Sequence, residues 1–340
     1  MIKSTNIDCY YDGYKTSEIN CVDLPIAACA GHFNRDNYFL YCMCYNYILN
    51  WASYFEEDWL SLRKKLLSYL KLDFQQEKAK DKNELFEKVT SCIAGGQPVI
   101  LIVKYGSLVY SKYYKWGTYD HGLIVSDFND ENRTFGIRDR EAVREHINAG
   151  IFTSDIMHRI QINYDQLGEI WDYSNKLFKD EQSIHYKHFY YLKSSVTDKI
   201  VNPVTLINKL MDDKTIPLEN QLKNYALKLN EKISGKNEIK YVEEENVRRI
   251  FHRSFFIFTD VIKRYFPSDN EKCNKWLYTA FEVFLNNRLS VFNMLHLYAL
   301  RNMQFPIDEL ERLLKKDTEY FMDLKNNVLN FINKGGHTHG

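Results

Sequence analysis

The period of the apolar positions changes several times along the first half of the chain, and each change marks an element. Cys21 to Ala30 reads as the start of a helix. Tyr38-Phe39-Leu40-Tyr41-Cys42-Met43-Cys44-Tyr45 is apolar nearly all round, which predicts a buried helix. A third helix over about residues 56–72 carries Trp59, Leu62, Leu66, Leu67 and Leu70 on one face. A fourth opens near Asn83 and stops at Gly95-Gly96. The texture then turns β-rich. Pro98-Val99-Ile100-Leu101-Ile102-Val103 has the branched run of a central strand. After a polar, aromatic loop (106–118), Tyr119–Val125 and Arg133–Asp139 flank turn residues at Asn129–Asn132 and predict a hairpin. Arg159–Asn163 adds a further strand.

The second half shows helical periodicity almost throughout residues 181–335. Asn202-Pro203 is a helix start and Ser234-Gly235-Lys236-Asn237 a break. Val247, Ile250, Phe251, Ser254, Phe255, Phe258, Val261 and Ile262 keep a helical period until Pro267, and more helices are expected at about 270–287, 289–302 and 307–333. Helices followed by an antiparallel sheet spell α+β. The expected organisation is a mixed domain over residues 1–180 and an all-helical one over 181–340.

Composition narrows the function classes. The 340 residues contain 45 Lys+Arg against 45 Asp+Glu, so the chain lacks the basic footprint of a general nucleic-acid binder. No apolar run reaches the ~20 residues of a membrane span. The start, Met1-Ile2-Lys3-Ser4-Thr5-Asn6, turns polar at once, and a cytoplasmic location is expected. Seven cysteines (9, 21, 29, 42, 44, 92 and 273) are an odd number without framework spacing, against a disulfide scaffold. No metal or cofactor is expected: there is no CxxC pair, and His185 and His188, read as i, i+3 on a helix, lack a third ligand.

Candidate chemistry begins at Asn20-Cys21-Val22-Asp23-Leu24-Pro25. Pro25 tolerates only the first turn of a helix, which puts Cys21 at the positive end of the helix dipole, where a thiolate is favoured. His121 precedes Gly122 and the apolar Leu123-Ile124-Val125, and Asp139 ends the following strand. A turn near Asn129–Asn132 sets His121 directly opposite Asp139, where the carboxylate can fix the imidazole tautomer. Nucleophile, base and orienting acid form the triad logic of acyl transfer.

A cysteine at a helix start, His-Gly ahead of an apolar strand and Asp at the end of the next strand together resemble the papain-like superfamily, most of all its C39-peptidase-like branch. The Asn-Cys start and the His-Gly…Arg-Asp hairpin, followed by a helical half, are similar to carrier-protein-dependent acyltransferases of the butirosin type. The resemblance covers about residues 9–165. It implies a papain-like catalytic domain with Cys21 as nucleophile, His121 as general base and Asp139 as orienting acid. Papain-like peptidases place an oxyanion-hole glutamine where this chain has Lys15; Tyr14, Ser17 or Asn20 are the substitute donors, beside the Cys21 backbone N–H. Losing one such donor typically costs ~10²–10³ in rate.

The implied activity is amide-bond formation through an acyl-Cys intermediate, in nonribosomal natural-product biosynthesis. The donor is an acyl or peptidyl group held as a thioester on a carrier protein, and the acceptor is a small amine or diamine. Tyr114 and Trp116 of the aromatic loop are candidates for lining the acyl site, and the helical domain for a lid or a carrier-docking surface. A C39-like cysteine peptidase is the alternative enzyme, and a non-catalytic binding module the alternative class.

Overall fold

The computed structural model describes residues 2–5, 7, 19–47, 59–140, 158–194, 201–212, short stretches and single positions between 260 and 301, and 303–335. The chain is α+β and divides into two compact units. One comprises Met1–Tyr41 and Arg63–Ile200, the other Cys42–Leu62 and Val201–Gly340.

In the first unit, seven strands among the described residues form one antiparallel sheet. Its order is β2 (Leu72–Lys78), β7 (His188–Ser194), β3 (Val99–Lys104), β4 (Asp120–Asn129), β5 (Thr134–Asp139) and β6 (His158–Asn163). The seventh, β1 (Ile2–Ser4), pairs with Asp127–Asn129 of β4, on the stretch beyond its pairing with β3. All six residues of β3 are buried, as the unbroken Val-Ile-Leu-Ile-Val run requires of a strand covered on both faces.

One face of the sheet carries α4 (Lys82–Ala94) and α5 (Tyr164–Asp180). Leu85, Val89, Ile93, Leu167, Ile170 and Trp171 pack with Val99, Leu101, Leu123, Val125 and Ile137 in a single core. Both helices start on side-chain caps. Asp81 accepts from the Asn83 and Glu84 amides, and Asn163 forms a capping box with Gln166; each cap is worth about 1 kcal/mol. The helix α1 (Asp23–Phe33) packs on β4 and β7 and is buried from Asp23 through Gly31. It is followed by α2 (Arg35–Tyr47) and α3 (Trp59–Tyr69).

Two expectations are corrected. Residues 188–194 lie not in a helix but in β7, which joins β2 to β3, so the sheet-bearing unit extends past residue 180. His185 therefore sits in a turn and His188 at a strand start, not on one helical face.

The second unit is helical in its described residues. Its α6 (Pro203–Asp212) opens where the Asn202 carboxamide oxygen accepts from the Thr205 amide at 3.2 Å. Its α7 (Ile307–Gly335) buries Leu310, Leu313, Phe321, Leu324, Val328 and Ile332 on one stripe, and Lys325 reaches Asp212 of α6 at 3.2 Å. Residues 234–237 and 247–259 lie outside the described residues. Among the described residues, no helix is long and apolar enough to cross a membrane.

Candidate active site

Cys21 stands in a turn wrapped around Asn20. The Asn20 carboxamide oxygen accepts from the backbone amides of Val22 (2.9 Å) and Asp23 (2.7 Å), and its backbone oxygen accepts from Leu24 (3.1 Å). Its Nδ2 donates to Asp23 Oδ2 at 2.9 Å, so the side chain proposed as an oxyanion donor shapes the helix start. Pro25 occupies the third helical position, inside the first turn where its missing N–H costs nothing.

Asp23, fully buried, fixes this turn to the interior. Arg63 grips its carboxylate with Nε (2.9 Å to Oδ1) and Nη2 (2.5 Å to Oδ2), and the Tyr41 hydroxyl donates to Oδ1 at 2.8 Å. A bidentate guanidinium and a neutral hydroxyl satisfy a charge that would be untenable alone. Gly122 then lets strand and helix start meet. A β-carbon there would come 2.9 Å from the Cys21 carbonyl oxygen, 3.0 Å from Pro25 Cγ and 3.1 Å from Val22 Cα.

The hairpin brings His121 and Asp139 together, but not by direct opposition. Val125 faces Ile137 and Ile124 faces Arg138, so one step further on Asp139 falls opposite Leu123. A bulge at Ser126 and the four-residue connection 130–133 move the register two residues from the expected one. Side chains alternate along a strand, so His121 and Asp139 still share a face as diagonal neighbours, a separation that an imidazole spans. His121 Nε2 donates to Asp139 Oδ1 at 2.8 Å, with both residues buried. The second oxygen, Oδ2, accepts the Tyr110 hydroxyl at 2.5 Å. The Tyr105 ring lies edge-on to the imidazole, with centroids 5.4 Å apart.

Burial alone would lower the His121 pKa. The Asp139 charge and hydrogen bond, aided by the side chain of Cys21, outweigh it and raise the pKa well above the ordinary imidazole value. Since Nε2 serves Asp139, Nδ1 is the ring nitrogen left for the thiol. The Cys21 thiol also donates to the Asp120 carbonyl oxygen at 3.4 Å. The Asp120 carboxylate pairs with Lys104 (2.9 Å), which reaches Glu181 as well (2.5 Å). Beside them, burial pushes His185 down to about 4 against the pull of Asp120, and its Nδ1 meets the Tyr190 hydroxyl at 2.7 Å.

The other thiols differ. Cys29, Cys42 and Cys44 are buried, and burial pushes the pKa of Cys29 and Cys44 far up; Cys92, half-buried, rises to about 11, chiefly by burial. Cys21 is half-exposed at a helix start.

Of the further candidates, Tyr14 and Ser17, with Lys15, lie outside the described residues. The Tyr114 hydroxyl donates to Glu169 of α5, which raises its pKa to about 12 and ties the loop to the helix. Trp116 is 76% exposed. Tyr110 as a partner of Asp139 is the member that sequence reasoning missed, having only its place in the aromatic loop as a signal. Among the described residues, no three His, Cys, Asp or Glu side chains converge as a metal site. A thiol beside an imidazole that a buried carboxylate steadies is the set of parts that nucleophilic catalysis uses. No protein-family model matches the chain, and no curated protein matches it.

Proposed function

We propose that this chain is a papain-like cysteine acyltransferase that joins a thioester-bound acyl or peptidyl group to a small amine, with Cys21 as nucleophile. The observation that carries the reading is the side-chain contact between Cys21 and an imidazole whose Nε2 is held by Asp139 at 2.8 Å. In the first step the Cys21 sulfur attacks the thioester carbonyl and His121 takes the thiol proton. The donor thiol leaves with that proton, and the acyl group stays on Cys21. The amine then attacks, passes a proton to His121, and the amide departs as the proton returns to the Cys21 sulfur. Both bonds broken are thioesters, so the site has to supply position and exclusion of water rather than a strong push.

A carrier protein as donor, a role in natural-product assembly and a cytoplasmic setting belong to this proposal through the resemblance described above. So does the use of the helical unit as a lid or docking surface.

The test is intact-protein and peptide mass spectrometry after incubation with an acyl N-acetylcysteamine thioester. An acyl adduct on Cys21 that a diamine discharges as the amide is the expected result. Cys21→Ala should retain its fold and form neither adduct nor amide. An adduct that maps elsewhere, or turnover by Cys21→Ala, overturns the assignment. Discharge by water as fast as by amine, together with cleavage of peptides, would make the chain a peptidase instead.

A further inference from the structure

The carboxylate that steadies the imidazole is itself held from behind. Asp139 is 1% exposed; its Oδ1 takes His121 Nε2 at 2.8 Å and its Oδ2 takes the Tyr110 hydroxyl at 2.5 Å. Tyr110 is buried and belongs to the loop 105–119, which backbone bonds close on itself: Tyr105 to Tyr119 (3.0 Å), Gly106 to Gly117 (2.9 Å) and Lys115 to Gly106 (2.7 Å). The Tyr105 ring, edge-on to His121, comes from the same loop. One loop therefore touches both the imidazole and the far side of its carboxylate. Among the described residues, titratable groups near the pair include His158, opposite Asp139 on β6, and Arg138 and Arg140, which flank Asp139 in the chain. Cys21 adjoins the imidazole, and Asp120 precedes it with its charge taken up by Lys104.

We infer that Tyr110 is a positioning residue: its hydroxyl pins Asp139 in the plane that accepts from His121 and keeps that carboxylate ionised beside the imidazole. This inference rests on the triad reading above and adds a member that touches neither substrate nor sulfur. A neutral hydroxyl suits the task. It stabilises the carboxylate without bringing a second cation that would compete with His121 for it. Without it, buried Oδ2 loses the Tyr110 hydrogen bond, so the neutral acid gains and the support for a protonated imidazole weakens.

The test reads Cys21 alkylation by iodoacetamide as a function of pH, with the adduct mapped by peptide mass spectrometry and folding checked by urea midpoint. In Tyr110→Phe the acid limb should move up by about one pH unit while the fold is retained. Asp139→Asn should move it further in the same direction, and the double variant should match Asp139→Asn alone, because the hydroxyl acts only through that carboxylate. An unmoved limb in Tyr110→Phe, or a double variant showing the sum of both shifts, overturns the role of Tyr110. If wild-type Cys21 alkylates no faster than a free thiol, the catalytic reading falls, and the positioning role with it. A fast wild type with an unmoved Tyr110→Phe profile removes only the positioning role.

Discussion

Asp23 and Asp139 lie on either side of the candidate thiol, one two residues along the chain and the other behind the imidazole. Both are buried, at 0% and 1% exposure, and both accept a tyrosine hydroxyl, from Tyr41 and Tyr110. They differ in the cation. Asp23 is gripped by the guanidinium of Arg63, which stays protonated at any working pH. Asp139 faces His121, which can give its proton away. The same buried motif is thus a fixed anchor where the partner cannot titrate and, on the proposed function, a working part where it can.

The largest expected effect breaks the anchor. Arg63→Met leaves the Asp23 charge buried without its counterion and should lower the unfolding free energy by about 3–5 kcal/mol, read as a fall in urea midpoint. Wild-type stability in that variant would show that Asp23 is not held by Arg63. Asp139→Asn comes next and tests the working part. Acyl transfer should fall about 10–10²-fold, or about 1.4–2.8 kcal/mol in barrier, with a smaller loss of stability than in Arg63→Met. Wild-type turnover would leave His121 without its proposed orienter.

The pH dependence separates the two sites more finely. A raised imidazole pKa in the fold stabilises fully below the ordinary value of 6.5 and less as pH rises through the raised value. The gap in urea midpoint between wild type and Asp139→Asn should therefore be widest in mild acid and narrow toward alkaline pH. Arg63 stays protonated throughout that window, so its own titration adds nothing to the corresponding gap for Arg63→Met. The smallest effect is that of Tyr41→Phe, a loss of about 1 kcal/mol in stability. The pH of half-maximal Cys21 alkylation should stay in place there, whereas Tyr110→Phe moves it.

Local chemistry was legible in the sequence; partners brought from afar were not. Gly95-Gly96 ended α4, Asn202-Pro203 opened α6, and the branched run after Pro98 became β3, because each signal acts within a few residues. Phe189-Tyr190-Tyr191-Leu192 carried no such signal. All four are buried, so the alternation that marks a half-exposed strand is absent, and its partner β2 is more than a hundred residues upstream. The hairpin was readable but its register was not. The connection holds Arg133 at φ 50°, a conformation that no glycine announces, and the bulge at Ser126 adds a residue on one strand only. In the site, Cys21, His121 and Asp139 stood out by residue type and place in their elements. Tyr110 did not, because the loop between it and His121 offers several equivalent tyrosines and only the folded loop selects one.

Gly122 turns the missing side chain into a control on the gap between sulfur and ring. With 2.9 Å from its absent β-carbon to the Cys21 carbonyl, it acts as a spacer of zero thickness between strand and helix start. Alanine and then valine at this position would serve as wedges of growing width, prying the thiol from His121 while leaving every reacting group chemically intact. That offers a way to dial the distance on which the proposed chemistry depends, instead of deleting the groups assigned to it.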